Sequence, residues 1–297
     1  MNQQKLGPSR LKVSPLAWGM WRFRGDDVAA AQARVEAALD AGINLLDTAD
    51  IYGPDNGEPF GAAEALLGQV LRAAPHLRMR MVLATKGGIL PGAPYDSSPD
   101  YLTRAVEASL TRLGVEQIDL YQIHRPDLLT HPAEVAETLA RLRRSGKIAE
   151  AGLSNHSAAQ TAAVLAHIDF PLACIQVEFS PLAITPLEDG VLDEAMTLGL
   201  GVLAWSPLAQ GRLGDGAADD ARIVAVRSAL DVAAAAHGVS RTTAAYAWIR
   251  QHPSAPIPIV GSQQPARIVE AAASLDVTLT RSQWYQILVA ARGAPMP

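Results

Sequence analysis

Four side chains that could transfer a proton lie at or just after the ends of three apolar runs. Asp47 ends the first run and Tyr52 follows five residues later, whereas Lys86 ends the second run and His124 the third. A phenol has a pKa of about 10, so it donates a proton near neutral pH only when a cation stabilises the phenolate. Lys86 could supply that cation, and we expect it to lower the pKa of Tyr52 by about two or three units.

The two remaining side chains could complete this chemistry. A buried ammonium group needs a carboxylate partner, which gives Asp47 a role beside Lys86. His124 could donate a hydrogen bond to the carbonyl oxygen that receives the proton, and so fix its direction. The product is a protonated oxygen, and a hydride must come from another source. The residues therefore predict one shared site that protonates a carbonyl oxygen.

The segments that carry these residues resemble the aldo-keto reductases. Asp-Thr-Ala-Asp-Ile-Tyr-Gly, Thr-Lys-Gly-Gly and Ile-His-Arg-Pro-Asp occur in the order and spacing of that family, and later segments extend the match almost end to end. The His-Arg-Pro-Asp version is similar to that of a bacterial oxidoreductase branch with short loops. The resemblance implies a (β/α)8 barrel, a nicotinamide cofactor and a catalytic tetrad formed by Tyr52, Lys86, Asp47 and His124.

The resemblance also implies how the nicotinamide is bound. Ser154, Asn155 and Gln176 match family positions whose polar side chains hydrogen-bond the carboxamide of the nicotinamide. Trp205 matches the aromatic platform beneath the nicotinamide ring, where family members often have tyrosine or phenylalanine. Ser154 and Asn155 could instead cap the helix that follows.

Two later segments resemble the parts of the family that bind the rest of the cofactor. Residues 206–212 resemble the loop around the pyrophosphate, where glycine lets backbone amides approach phosphate closely. Residues 258–262 and the next helix resemble the segment that binds the adenosine 2′-phosphate and the adenine. Many members have lysine where this chain has Gly261 and asparagine where it has Ala271, but Arg267 can still bind a phosphate bidentately, which favours NADPH and leaves NADH open. The implied cofactor contacts are Gly19, Trp21, Ser154, Asn155, Gln176, Trp205, Ser206, Leu208, Gly211, Arg212, Gly261, Ser262, Gln263, Arg267 and Glu270.

Alternating strands and helices are expected to position these residues. Short apolar runs predict strands at residues 16–19, 43–47, 82–86, 118–124, 149–154, 175–179, 201–206 and 257–260. Helical spacing predicts helices at residues 27–41, 62–73, 99–113, 132–145, 158–167, 187–198, 220–236, 240–251 and 281–292. Residues 5–14 predict a hairpin that caps the barrel floor. We expect one α/β domain over residues 1–297, a TIM barrel with its site at the carboxyl ends of the strands.

The composition argues against nucleic-acid and membrane partners. The formal net charge is −5 and no basic cluster occurs. The sequence lacks an apolar run of about 18 residues and a secretory signal pattern, so we expect a cytoplasmic protein. Cys174 is the only cysteine, which excludes an intramolecular disulfide. The histidines lack metal-ligand spacing, so no metal site is expected, and the sequence leaves the oligomeric state open.

The expected substrate is a small aldehyde or ketone. Trp21, Tyr52, His124 and Phe179 would form an apolar wall around a polar corner, and the proline- and glycine-rich residues 87–99 would form a lid. Only a few residues follow the last helix, so we expect an open site with broad turnover of small carbonyls. Three alternatives remain open: a sensor protein of the same fold with little turnover, a dedicated enzyme of sugar or pyridoxal metabolism, and a Schiff-base aldolase.

Overall fold

Eight short parallel strands close into a barrel in this computed structural model, which describes residues 1–218 and 220–297. The strands, including an amino-terminal pair, are β1 (Gln4–Lys5), β2 (Lys12–Val13), β3 (Ala17–Gly19), β4 (Leu45–Asp47), β5 (Val82–Gly87), β6 (Ile118–Ile123), β7 (Ile148–Ser154), β8 (Cys174–Glu178), β9 (Gly201–Trp205) and β10 (Ile257–Val260). Strands β3 to β10 follow one another around the barrel, and β10 pairs with β3 to close it. The predicted (β/α)8 barrel is confirmed.

Ten α-helices lie in the described part of the chain and surround the barrel. They are α1 (Val28–Asp40), α2 (Ala62–Ala73), α3 (Pro99–Leu113), α4 (Pro132–Arg144), α5 (Ala158–Leu165), α6 (Val191–Leu198), α7 (Ala221–His237), α8 (Arg241–Arg250), α9 (Pro265–Ala272) and α10 (Arg281–Arg292). The prediction of one helix over residues 187–198 was wrong at its start, because Gly190 adopts a left-handed conformation with φ of 84° and α6 begins after it. Within the described residues no single helix could cross a membrane by length and hydropathy, and only the pair α7 and α8, bent by 94°, passes that test jointly.

The amino-terminal hairpin of β1 and β2 closes the floor of the barrel, as predicted. Leu6 and Val13 are fully buried and pack with the apolar residues inside the barrel. Gly7 has φ of 54°, and a Cβ atom there would lie 2.3 Å from the carbonyl oxygen of Ala173. Glycine is therefore required where the hairpin touches the start of β8.

The barrel interior changes from apolar to polar along the strands. Successive side chains of a strand point to opposite faces, so residues two positions apart face the same side. An inner cluster of buried apolar side chains fills the lower part of the barrel, and burial of each leucine contributes about 1.5–3 kcal/mol. Two residues further along four of these strands the side chain is polar: Leu45 is followed by Asp47, Ala84 by Lys86, Leu120 by Gln122 and Cys174 by Gln176.

Candidate active site

The strand register brings the predicted tetrad together at the carboxyl end of the barrel. Asp47 ends β4 and pairs with Ala84 of β5, two residues before Lys86. His124 follows β6, and its backbone N–H donates to the carbonyl oxygen of Gly87 over 2.8 Å. Tyr52 lies in the turn after β4. Four residues from three successive strand ends thus converge on one polar corner, as the sequence predicts.

Lys86 and Asp47 form a buried ion pair. The Lys86 Nζ donates to Asp47 Oδ2 and to the carbonyl oxygen of Thr48, each over 2.7 Å. The two charged side chains are 1% and 3% exposed. Burial alone would lower the pKa of Lys86, but the charge of Asp47, together with Tyr52 and the hydrogen bonds, holds this pKa above its ordinary value. Lys86 is therefore a fixed cation, and Asp47 compensates its charge as expected.

Two glutamine amides orient the other oxygen of Asp47. Gln122 Nε2 donates to Asp47 Oδ1 over 3.2 Å, and Gln176 Nε2 donates to the same oxygen over 3.1 Å. Gln176 Nε2 also lies 3.1 Å from Gln122 Oε1. The role of Gln122 was missed in the sequence, although it stands two residues before His124 and thus on the same face of the strand. Gln176, predicted as a carboxamide contact, uses its amide nitrogen to hold Asp47.

Tyr52 lies beside the lysine and the histidine. The Lys86 Nζ is 5.0 Å from the centroid of the Tyr52 ring, and the rings of Tyr52 and His124 meet edge to face with centroids 5.9 Å apart. Burial raises the pKa of Tyr52 above its ordinary value of 10.0, while the charge of Lys86 opposes that rise and the charge of Asp47 adds to it. The expected lowering of this pKa is therefore wrong, because desolvation exceeds the effect of the lysine.

His124 is neutral at physiological pH. Burial, followed by the positive charges of Lys86 and Arg125, lowers the pKa of His124 well below 6.5. The Nδ1 atom of His124 is buried and has no hydrogen-bond partner among the described residues. A neutral imidazole carries one N–H donor and one acceptor nitrogen. His124 can thus hydrogen-bond a neutral acceptor without adding a second cation beside Lys86.

Asn155 connects three sides of the site. Its Nδ2 donates to the His124 carbonyl oxygen and to Ser154 Oγ, each over 3.0 Å. Its Oδ1 accepts from Trp205 Nε1 over 2.9 Å. Asn155 has φ of 59°, a left-handed conformation that asparagine tolerates better than most residues. The guanidinium of Arg125 lies 6.0 Å from the centroid of the Trp205 ring. Ser154, Asn155 and Trp205 therefore lie together beside the tetrad.

The loop after β9 has an unusual backbone. Ser206, Ala209 and Gln210 have φ of 50°, 48° and 60°, and these are three of the five non-glycine residues with positive φ in the described chain. Such conformations occur mainly where the surrounding structure imposes them, and they cluster at functional sites. Gly211 has open space around its Cα, and its N–H donates to the carbonyl oxygen of Leu208 over 3.0 Å.

Three arginines from the following helices hold this loop. Arg227 of α7 donates to the carbonyl oxygen of Arg212 over 2.6 Å, and Arg241 of α8 donates to that of Gly214 over 3.2 Å. Arg267 of α9 forms an exposed ion pair with Asp215 over 2.8 Å. The three arginines consequently hold the loop at three points. The predicted phosphate contact, Arg267, already has a carboxylate partner.

The segment after β10 also adjoins the barrel mouth. Gln263 Nε2 donates to the carbonyl oxygen of Gly19 over 3.0 Å, while Gln263 Oε1 is buried without a partner among the described residues. Ser262 accepts from Trp18 Nε1 through its carbonyl oxygen over 2.9 Å. A Cβ atom on Gly261 would meet no atom within 4 Å, so this position faces open space.

Three residues near the site make contacts that their predicted roles did not include. Glu270, an implied cofactor contact, accepts a hydrogen bond from Ser240 at the start of α8. Phe179 was expected in the substrate wall, but it is fully buried and packs against Trp248, because α8 covers the end of β8. Trp21 is 39% exposed, and its indole N–H donates to Asp55 over 3.2 Å.

The predicted lid, residues 87–99, is tied to the loop after β6. Ile89 and Tyr95 form an antiparallel bridge within it. Asp127 Oδ2 accepts from the N–H of Ser97 over 2.9 Å and from Thr130 Oγ1 over 2.6 Å. Burial opposes ionisation of Asp127, but these hydrogen bonds together lower its pKa. The last residue of the Ile-His-Arg-Pro-Asp segment therefore ties Ser97 to the loop after β6.

Comparison with known proteins agrees with this geometry. The profile described as the aldo/keto reductase family matches residues 15–290. The chain belongs to the aldo-keto reductase family. It is 55% identical to a 6-dehydroglucose reductase of Novosphingobium aromaticivorans over 99% of this chain and 97% of the relative. It is 35% identical to the oxidoreductase YdhF of Escherichia coli, over 98% of each chain.

Two further proteins extend the comparison of this aldo-keto reductase. A 6-dehydroglucose reductase of Agrobacterium fabrum is 35% identical over 96% of each chain. A thermostable aldo-keto reductase crystallised with the inhibitor epalrestat has a TM-score of 0.84 and 22% identity, and the match covers 98% of this chain and 100% of the other. The last similarity concerns the fold alone.

Proposed function

We propose that this aldo-keto reductase reduces small aldehydes with NADPH, and that Tyr52 is the general acid. The observation that carries the proposal is the buried Lys86–Asp47 pair, which joins the two charges over 2.7 Å beside the ring of Tyr52. A fixed cation next to a phenol favours the phenolate that remains after proton donation. The family assignment independently supports carbonyl reduction as the reaction.

The same pair argues against the aldolase alternative. Schiff-base formation needs a neutral and accessible amine. Lys86 is protonated, 1% exposed and hydrogen-bonded to two oxygens, Asp47 Oδ2 and the Thr48 carbonyl oxygen. An amine in this environment is a poor nucleophile, so we assign Lys86 an electrostatic role.

The residues at the barrel mouth fit a nicotinamide dinucleotide. Trp205 presents an aromatic side chain beside Asn155, and the loop after β9 combines glycine with three left-handed residues, a type of backbone that can approach a phosphate closely. Gln263 Oε1, which is buried and has no partner among residues 1–218 and 220–297, leaves an acceptor beside Gly19. Arg267 supplies a guanidinium for the 2′-phosphate of NADPH, in exchange for its present partner Asp215.

Each residue of the site then has a separate role in the reduction. Reduced nicotinamide, when bound by these residues, would supply the hydride for the carbonyl carbon. Tyr52 transfers its proton to the carbonyl oxygen, and the adjacent Lys86 stabilises the phenolate that results. Neutral His124 donates a hydrogen bond to the same oxygen and fixes its direction. Asp47 keeps Lys86 protonated, and Gln122 and Gln176 keep Asp47 in place.

A sugar aldehyde is the substrate that we favour within this class. Two relatives that match nearly the whole chain are named 6-dehydroglucose reductase. Arg125 brings a guanidinium to the barrel mouth beside Trp205, and such a group donates hydrogen bonds to hydroxyl oxygens. We therefore expect kcat/KM for 6-dehydroglucose to exceed that for 4-nitrobenzaldehyde by about a hundredfold or more. Equal values would favour a broad carbonyl reductase instead.

The general-acid role is tested by Tyr52→Phe. Oxidation of NADPH is followed after addition of either aldehyde, and NADPH binding is measured separately by quenching of tryptophan fluorescence. Loss of one positioned acid lowers the rate by about 10²- to 10⁴-fold, so we expect a loss of this size with NADPH binding preserved.

The matched control is Tyr285→Phe, which removes a hydroxyl from an exposed tyrosine of α10. This variant should keep the wild-type rate. A Tyr52→Phe enzyme that keeps most of that rate would refute the proposed mechanism. Tight NADPH binding by the wild type without oxidation in the presence of either aldehyde would favour the sensor alternative.

A further inference from the structure

A second group of buried ionisable side chains lies directly behind the tetrad. We name it the Asp50 cluster, and it consists of Asp50, Glu64, Tyr101, Arg112 and Tyr121. Asp50, Glu64 and Tyr121 are at most 1% exposed. The mechanism above uses none of them, although Asp50 stands only two residues before Tyr52.

Asp50 is attached to the reactive corner through the backbone. Its N–H donates to the carbonyl oxygen of Lys86 over 3.0 Å. Its Oδ2 accepts a hydrogen bond from Tyr101 Oη of α3 over 3.1 Å. Its Oδ1 is buried and has no partner among the described residues. The backbone of Asp50 is thus held against that of Lys86, two residues before Tyr52, while its carboxyl group has one side-chain hydrogen bond.

The arginine of this cluster is already paired with another carboxylate. Arg112 of α3 is taken by Glu64 of α2, with 2.7 Å between Arg112 Nη2 and Glu64 Oε2. Glu64 also accepts a hydrogen bond from Thr85 Oγ1 over 2.5 Å. The hydroxyl of Tyr121 from β6 is buried without a partner among the described residues. Asp50 therefore faces one carboxylate and two phenols, besides the paired arginine.

Gly87 allows the cluster to approach the strand that carries Lys86. A Cβ atom at this position would lie 2.1 Å from Tyr121 Oη and 3.1 Å from Asp50 Oδ2. Any larger residue would push these groups away. The polar atoms of the cluster are consequently packed against the backbone one residue beyond Lys86.

These surroundings make Asp50 a weak acid. Burial raises the pKa of Asp50 to about 8, the charge of Glu64 adds to the rise, and the Tyr101 hydrogen bond and Arg112 oppose it. Conversely, a charge on Asp50 raises the pKa of Tyr52. Other charged or titratable groups that face the two residues are Lys86, Asp47, Tyr121 and His124.

We propose that the proton on Asp50 controls how readily Tyr52 gives up its own proton, which makes Asp50 a positioning residue for the reductase. Neutral Asp50 leaves Lys86 and Asp47 as the charges that act on Tyr52. Ionised Asp50 adds a buried negative charge, which disfavours the Tyr52 phenolate and strengthens the hold of Tyr52 on its proton. The role in reduction rests on the proposed function, whereas the coupling between the two protons does not.

The coupling is measured on the full-length protein without cofactor or substrate. Tyrosines labelled with carbon-13 in the ring are titrated by NMR between about pH 7 and 11, and Tyr52→Phe identifies the Tyr52 resonance. In Asp50→Asn the Tyr52 phenolate should appear at lower pH than in wild type, by about half a unit or more. In Asp50→Glu, which retains an ionisable carboxyl group, Tyr52 should titrate as in wild type.

Asp100→Asn is the control for charge, because it removes an exposed carboxylate from the neighbouring α3 and should leave Tyr52 unchanged. Asp50→Ser, which also removes the carboxyl group, is the second variant if Asp50→Asn does not fold, and in it Tyr52 should again ionise at lower pH than in wild type. An unchanged Tyr52 titration in folded Asp50→Asn or in Asp50→Ser would overturn the proposal, while the Tyr52→Phe reductase assay decides the proposed function separately.

Discussion

Asp47→Asn should destabilise the barrel far more than loss of an ordinary surface charge. The substitution keeps the shape of the side chain but leaves Lys86 as a buried ammonium without a counter-charge. Asp47 accepts from three donors, Lys86 Nζ, Gln122 Nε2 and Gln176 Nε2, and an asparagine amide group would turn a fourth donor toward them. Removal of one partner from a buried ion pair costs about 3–5 kcal/mol. That loss is a large part of the 5–15 kcal/mol by which proteins are typically stable.

Equilibrium unfolding in urea measures this loss. Tryptophan fluorescence and circular dichroism are recorded together, and a free energy is extracted only if both transitions coincide. Asp40→Asn is the matched control, because Asp40 pairs with Arg80 over 2.6 Å but the two side chains are 68% and 42% exposed. Its loss should be no more than about 1 kcal/mol.

The double variant Asp47→Asn, Lys86→Met provides a second control. It removes the buried cation together with its partner, and we expect it to regain part of the lost stability. The reasoning is refuted if Asp47→Asn costs less than about 1 kcal/mol, the value for exposed pairs, or if Lys86→Met makes the single variant still less stable.

Two other expectations concern single side chains. Arg267→Ala should raise the dissociation constant for NADPH about tenfold and leave that for NADH nearly unchanged. Asp215→Asn, which frees Arg267, should lower the dissociation constant for NADPH. Both constants are measured by fluorescence titration, and equal losses of affinity for NADPH and NADH in Arg267→Ala would contradict the assignment. Because the pKa of His124 is lowered in the folded state, the unfolded chain binds its proton first, so stability falls as pH drops below about 6.5, by at most about 1.4 kcal/mol per pH unit. This decline should be smaller in His124→Gln, and the same pH slope in both proteins would disprove it.

The barrel and the convergence of the four candidate residues could be predicted because they depend on local patterns. Asp47, Lys86 and His124 each stand where an apolar run ends, and parallel strands bring such ends to one rim. The start of α6 could not be predicted from apolar spacing, because the left-handed Gly190 interrupts the helical path. The position of Phe179 depends on where α8 packs, which the strand sequence does not contain.

The predicted direction of the pKa shift of Tyr52 was wrong for a similar reason. The sequence identifies Lys86 as a neighbouring cation, but the balance also depends on how much water the folded turn excludes. Gln122 could have been found from its spacing to His124, whereas the Asp50 cluster joins α2, α3 and β6 through contacts between distant residues. Such contacts require the three-dimensional structure.

The rate at which the single cysteine is alkylated measures how often the barrel opens. Cys174 is fully buried at the start of β8, where Gly152 packs against its sulfur, and burial raises the pKa of its thiol. Only a thiolate reacts quickly with an alkylating reagent. Labelling of Cys174 therefore requires separation of the strands around it. Because the chain has no second cysteine, the fraction of molecules that gain the mass of one label is the fraction that has opened. A ligand that binds only the folded barrel should slow this labelling.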